Sequence, residues 1–470
     1  MFNPDMQYRC DIIRGKAQKE LDNLLPAYSA IVAELCPTEK EYFYAEFENR
    51  LSQFFYGNDF KNLSNASKKT VRNHMTEIAG KLFGLYYINN GNIYESESSI
   101  KLRGDSDQPA FFKNLCLNFQ FPNGMQKINT VIQRIRDKIK FKPFHFIIKL
   151  LFLAEKSKVL LNKDDVGYYV LNSKQVLQGL VEPNEVLDAI LKNRDLNIFK
   201  KVPGGSKNTQ HIREQLNLLA LANMIFVDEQ HVTLNSAEDR LIKLFIDELD
   251  KPLRFDIYKY DLSSKEEQRI MYSDWSEYYA KIAAVNYEIL STAIQAMHQP
   301  KILKPENKFE SAEQKKAFKA ELGDAGEKYV YELEKKRVAE THPKLKNKVV
   351  LLGRIKGLGY DISSVEAGEN RNKPEFCRFI EVKSTKRVTE PDKSNKSKTD
   401  CINLTRKEWI AAQQYGDAYN IYRVYFTRNS TVVWKINNPY AKAEKKQITI
   451  IETNYAIIFN PDNIDQEYRP

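Results

Sequence analysis

Two short stretches hold the residues best suited to chemistry, Gly359-Tyr360-Asp361-Ile362 and Phe379-Ile380-Glu381-Val382-Lys383-Ser384-Thr385. Side chains alternate along an extended strand, so Glu381 and Lys383 share one face while Val382 turns to the other and contributes its backbone carbonyl. If Asp361 ends a neighbouring strand, two carboxylates and one carbonyl oxygen converge. That donor set suits a hard cation, with Mg²⁺ the natural occupant and Mn²⁺ its substitute. Such an ion polarises a phosphate and lowers the pKa of a bound water, and Lys383 is placed to orient that water or to stabilise developing charge. The chemistry to expect is phosphodiester hydrolysis. A lone Glu-x-Lys is also an ordinary solvent-facing strand pair, so the reading needs support from its surroundings.

The surroundings supply elements that position these residues. Apolar periodicity predicts a helix from Ala312 to about Thr341, then strands near Val349–Leu352, Tyr360–Glu366 and Cys377–Ser384. A helix Leu404–Tyr415 and strands Tyr419–Thr427 and Thr431–Ile436 follow. This order fits a mixed sheet flanked by helices. Between the third strand and its helix, Lys386–Asp400 is almost devoid of apolar residues and is expected to be a mobile loop whose lysines meet a phosphate backbone.

Four blocks in this region, GDAGEKYVYELE, GYDISS, RFIEVKST and INLTRKEWIAAQQYGDAYNIYRVYF, resemble in order the NO VEIN C-terminal domain family, over about residues 321–437. Their D…ExK arrangement resembles the PD-(D/E)XK restriction-endonuclease-like superfamily. The resemblance implies an α/β nuclease fold in which Asp361 and Glu381 hold the metal and Lys383 is the catalytic lysine. It further implies that Glu327, one turn after Asp324, is an accessory carboxylate reaching the metal through water, and that Gln413 and Gln414 approach from the later helix. Tyr360 stands where the superfamily's motif has proline.

The front two-thirds reads as helices and small hairpins. Residues 11–53 are helix-patterned, with Thr38 and Glu41 spaced as a capping box. From Leu63 to Leu102 a helix is followed by Asn-Gly between two β-prone runs, the shape of a winged helix. Gly204–Asn235 repeats that logic, while Lys142–Val170 looks like the first half of a further helix-turn-helix with no wing evident. In such units the N-terminal residues of the second helix lie near base edges. The candidates are Lys68, Lys69, Arg72, Asn73 and His74 in one unit, and Lys207, Asn208, Gln210, His211 and Arg213 in the other. Lys138, Lys140 and Lys142 read as a solvated helix face, and His145 and His298 receive no role.

Bulk properties agree with this organisation. At 470 residues the chain needs several domains: 1–103 (helical and winged-helix), 104–236 (a second such region), 237–310 (connector and linker, Pro300–Glu310 being the linker) and 311–470 (nuclease). Lys and Arg total 72 against 62 Asp and Glu, an excess of +10 that favours polyanionic partners. The five scattered cysteines form no CxxC pair, which argues against a zinc site or a disulfide framework. Nothing resembles a signal peptide or a membrane span, so a cytoplasmic protein is expected.

The expectation is thus a multidomain α+β protein acting on double-stranded DNA as a restriction or defence endonuclease. Tandem winged helices ahead of such a cleavage domain resemble the layout of type IIS restriction endonucleases. One active site per chain implies a homodimer, or a second nicking event, for double-strand cutting. Two alternatives stay open: a nuclease subunit active only with a separate ATPase, modification sensor or methyltransferase, since no P-loop occurs here, and a non-catalytic DNA-binding protein with a degenerate fold.

Overall fold

The computed structural model describes residues 2–12, 18–203, 206–228, 231–281, 290–297, 314–353, 358–369, 371–393, 400–448 and 450. The linker read at Pro300–Glu310 and the residue His298 lie outside them.

The N-terminal part opens with α1 (Gln18–Leu35), β1 (Thr38–Glu39), α2 (Lys40–Tyr56) and α3 (Asn65–Asn73), then β2 (Tyr86–Asn89) and β3 (Asn92–Glu95). Ser64 caps α3 by accepting the Ser67 N–H, and the helix winds on in π geometry through His74–Leu82. At the hairpin tip Asn90 and Gly91 both take positive φ, 49° and 81°, the left-handed pair that Asn-Gly tolerates best. The expected capping box at Thr38 is replaced by a strand: Thr38 pairs antiparallel with Ile93, and Glu39 occupies the N-cap of α2 without a side-chain cap. Pairing with the hairpin outweighs the local helix signal.

After α4 (Glu97–Asp105), α5 (Gln108–Asn118) and α6 (Ile128–Arg136), the same order recurs. It comprises α7 (Pro143–Lys156), an isolated bridge at Leu161 and α8 (Lys163–Val166), then α9 (Lys174–Leu177), α10 (Pro183–Asp195) and α11 (Ser206–Leu221), and the hairpin β4 (Ile225–Val227) and β5 (Val232–Leu234). Leu161 pairs antiparallel with Val232, as Thr38 does with Ile93. Lys142–Val170 therefore does have a hairpin: it belongs to the same unit as α11, with α9 and α10 inserted between.

The segment expected to be a connector is part of the same interior. α12 (Asp239–Leu249) packs on α7, and α13 (Lys265–Lys281) buries Trp275 against Phe255, Tyr278 and Tyr279. One apolar core runs from Cys10 to Met297. The expected solvated helix face at Lys138, Lys140 and Lys142 holds only in part: Lys138 and Lys140 are exposed, but no helix carries them, and Lys142 is turned inward. α6 stops at Arg136, Lys140 lies over the Tyr258 ring, and Lys142 is buried with its ammonium donating to the Glu248 and Lys251 carbonyls, both at 2.6 Å. Burial pushes its pKa down to about 8, while the carbonyls at the end of α12 favour the cation.

The remaining elements are α14 (Ile294–Met297), α15 (Gln314–Thr341), β6 (Val350–Leu351), β7 (Ile362–Val365), β8 (Cys377–Lys386), α16 (Arg406–Tyr415), β9 (Tyr419–Phe426), β10 (Thr431–Asn437) and α17 (Pro439–Glu444). Five strands form one sheet in the order β10-β9-β8-β7-β6, parallel only between β8 and β9. This is the mixed sheet that the sequence suggests. Ile380, Val382, Tyr422 and Val424 face Val330 and Val338 of α15, whereas Phe379, Tyr419 and Ile421 face Ala411 and Ala412 of α16. Strand alternation therefore commits Glu381 and Lys383 to the α16 side.

The stretch after β8 departs from expectation. As far as Thr389 it is anchored to the N-terminal part rather than left as a mobile loop; residues 394–399 lie outside the described set. Lys386 is held by Asp107 at 3.2 Å and the Thr292 carbonyl at 2.5 Å, and Thr385 donates to the Ser106 carbonyl. Arg387 donates to Asn23, Val388 joins the N-terminal core, and both the N–H and the hydroxyl of Thr389 donate to Asp22. From the β9–β10 turn, Arg428 donates to Asn223 and to the Ala220 and Ile225 carbonyls. A polar composition suits a buried polar interface as well as it suits water.

Candidate active site

Asp361 sits at the start of β7, woven into the sheet from both sides: its N–H donates to the Ile380 carbonyl at 2.9 Å and its carbonyl accepts from Leu352 at 2.7 Å. Oδ2 of its carboxylate accepts the Val382 N–H at 2.8 Å, which fixes the side chain against β8. Gly359 makes this approach possible. Its φ is +76°, and a Cβ there would lie 2.7 Å from the Ala411 Cβ and 2.8 Å from the Lys407 carbonyl oxygen. Only glycine combines that backbone with that clearance under α16. The Tyr419 hydroxyl donates to the Gly359 carbonyl, and Tyr360, Phe379 and Tyr415 pack their rings beside it.

On β8, Glu381 is 3% exposed and Lys383 shares its face. The Lys383 ammonium is 2.7 Å from Glu381 Oε1 and 2.9 Å from Glu408 Oε2. Burial pushes Glu381 up to about 9, with Asp361 and Glu408 adding to the effect and Lys383 opposing it. Asp361 is raised for the same first reason. Burial alone would lower Lys383, but Glu381 and Glu408 outweigh it and hold the ammonium protonated. Three carboxyl groups thus surround one cation, and ionising all of them would bring more negative charge than Lys383 balances.

The donor chemistry suits a divalent cation on Asp361 and Glu381: both supply oxygens, Glu381 is buried and Asp361 half-buried, and ionising them without a counter-charge is unfavourable. Among the described residues no three His, Cys, Asp or Glu side chains form a ready-made cage, so an ion held by this pair would keep several of its waters.

Glu408 was missed by sequence reasoning. It lies in the first turn of α16 and closes a capping box with Thr405, whose side chain accepts the Glu408 N–H. The pattern Thr405-x-x-Glu408 was visible, but its partner on β8 was not. Glu327 comes from α15, which covers the opposite face of the sheet. Its carboxylate packs against Gly353, where a Cβ would lie 1.9 Å from Oε2. Gly353 follows Leu352, the residue bonded to Asp361, so Glu327 reaches the Asp361 end of the sheet. Asp324 is exposed. Gln413 and Gln414 are also exposed, and Gln413 faces the Tyr440 hydroxyl instead of the cluster.

The proposed groove-facing residues divide. Lys69, Arg72, Gln210 and Arg213 are exposed, and Asn73 is half-buried. Lys68 donates to the Lys61 carbonyl, Arg72 pairs with Glu48 at 3.0 Å over the Phe60 ring, and Gln210 donates to Glu214. His74 and His211 are corrections: both are buried, His74 against the Tyr28 hydroxyl and His211 against the Asn172 amide at 3.1 Å. Each falls on the inward face of its helix, beside the apolar positions Met75 and Ile212. The side chains of Lys207 and Asn208 lie outside those described.

Comparison with known proteins follows the same division of the chain. Residues 326–436, which hold the cluster, match the family described as "Protein NO VEIN, C-terminal". A solved structure described as "Crystal structure of pyrene- and phenanthrene-modified DNA in complex with the BpuJ1 endonuclease binding domain" is 44% identical, covering 60% of this chain and 100% of that one with a TM-score of 0.57. No curated protein matches. The family described as "Restriction endonuclease BpuJI - N terminal" matches residues 2–276, which is more than half of the chain and contains both helix-and-hairpin units, and the protein therefore belongs to that restriction endonuclease family.

Proposed function

We propose that this protein is a divalent-metal-dependent DNA endonuclease of the restriction type. In this reading the region 2–276 binds double-stranded DNA and the region after residue 311 cuts it with a PD-(D/E)XK site. The observation that carries the proposal is the convergence of Asp361, Glu381 and Lys383 on one face of the sheet, in a chain whose N-terminal part is 44% identical to an endonuclease DNA-binding domain. Exposed Lys69, Arg72, Gln210 and Arg213, together with Lys68 and Asn73, are the side chains offered to phosphates and base edges.

Asp361 and Glu381, with the Val382 carbonyl, would hold Mg²⁺ or Mn²⁺, and Glu327 would act as an accessory acid from the Asp361 end. A bound ion supplies Lewis acidity at the scissile phosphate and a more acidic water. Lys383 holds its ammonium where negative charge grows on the phosphate, and the buried setting strengthens that interaction relative to water. Val382 N–H fixes the Asp361 carboxylate so that little reorganisation is needed. One site per chain calls for two copies, or two successive nicks, to sever both strands.

The test is incubation of plasmid and phage DNA, methylated and unmethylated, with Mg²⁺ or Mn²⁺ and either the wild-type protein or Lys383→Ala. Discrete fragments that disappear in the variant support a sequence-directed endonuclease. Binding without cleavage by the wild type overturns autonomous cutting, and directs attention to a separate ATPase or methyltransferase.

A further inference from the structure

Glu408 stands apart from the residues that motif reasoning assigns, yet one of its oxygens does two things at once. Oε2 accepts the Thr405 N–H at 2.9 Å, completing the helix cap, and also accepts the Lys383 ammonium at 2.9 Å. A cap alone does not require a charge, since glutamine serves as well as glutamate at the third position of a capping box. Here the carboxylate faces a lysine that is also paired with Glu381, at 2.7 Å.

That other partner is the one the proposed cation would claim. Once the Glu381 oxygens turn to a divalent ion, a flexible lysine side chain keeps a fixed direction only if something else holds it, because ordering such a chain costs rotamer freedom. Glu408 is mounted on a helix whose start is clamped by its own cap and whose body is packed on the sheet through Ala411 and Ala412. It is therefore the rigid half of the Lys383–Glu408 contact.

We infer that Glu408 is a positioning residue, which anchors the Lys383 ammonium over the site while Glu381 is engaged with metal. The inference rests on the nuclease reading for its role in catalysis and on geometry alone for the contact. The Thr405 cap and the Lys383 anchor make separate demands on the same side chain, so Glu408→Gln keeps the first and removes the charge from the second.

A double-mutant cycle with Glu408→Gln and Lys383→Met in the full chain tests this. Cleavage of linear duplex DNA in Mg²⁺ and the urea unfolding midpoint in Mg²⁺ are the two readouts. Expected is a fall in kcat of about 10-fold or more for Glu408→Gln, with KM within about twofold, because a displaced catalytic group slows chemistry without touching DNA binding. In the Lys383→Met background the same change should have no further effect on either readout. Wild-type kcat in Glu408→Gln, or an equal shift of the midpoint in both backgrounds, overturns the inference. If the wild-type protein does not cut at all, the nuclease reading fails, and the unfolding arm still decides whether Glu408 and Lys383 are coupled.

Discussion

At Glu381 a carboxyl is enclosed between Asp361, Glu408 and the Lys383 ammonium, and its proton is retained up to about pH 9. In the unfolded chain the same group ionises near the ordinary value of about 4.3. Between those values the folded protein binds more protons than the unfolded one, so this residue's contribution to stability declines as pH rises. Glu381→Gln removes that decline. Without metal and with chelator present, the variant's melting temperature should gain on the wild type between pH 5.5 and 8.5, by about 2–4 °C per kcal/mol relieved. A difference that stays constant across that range would refute the assignment. A divalent ion should act on the wild type in the same sense by supplying the missing positive charge, and its stabilisation should vanish in Asp361→Asn.

Among the elements, α16 and the Gly359 turn show how far the sequence could be read. The sheet and its two flanking helices were legible because apolar periodicities of two and near four mark the segments from α15 to β10 on either side of the polar stretch 386–400. Glu381 and Lys383 were legible because strand alternation is a local rule. The Glu408 contact was not, since it joins α16 to β8 across a packing interface that no local rule describes, and His74 and His211 were misplaced because a polar residue within a helix does not by itself say which face turns inward. β1 was lost to a capping-box pattern, and the hairpin of the second unit was separated from its first half by α9 and α10. Gly359 carries a prediction at this scale. Alanine there meets the Ala411 Cβ at 2.7 Å and must adopt φ +76°, so Gly359→Ala should destabilise the C-terminal part by about 1–3 kcal/mol. Amide exchange should rise at β7 and the start of α16 while β2–β3 stays protected; an unchanged pattern would argue that α16 has room to move.

Across the whole molecule, β8 links the two halves: the strand that presents Glu381 and Lys383 runs on to Lys386 and ends against Asp107, Asp22 and the core around Val388. Removing one partner of a buried pair leaves the other charge stranded, typically at about 3–5 kcal/mol. Lys386→Met should therefore speed amide exchange in 385–389 and at Ser106 and Asp107, and leave the hairpin β4–β5 unaffected; uniform protection would show that the docking does not depend on this pair. Covalent continuity between the halves is then redundant for their association. A chain cut within 298–313, or two polypeptides produced separately and ending on either side of it, should co-elute as one complex and exchange partners faster when the Asp107–Lys386 contact is broken, so this protein is a candidate for a split, reconstitutable pair.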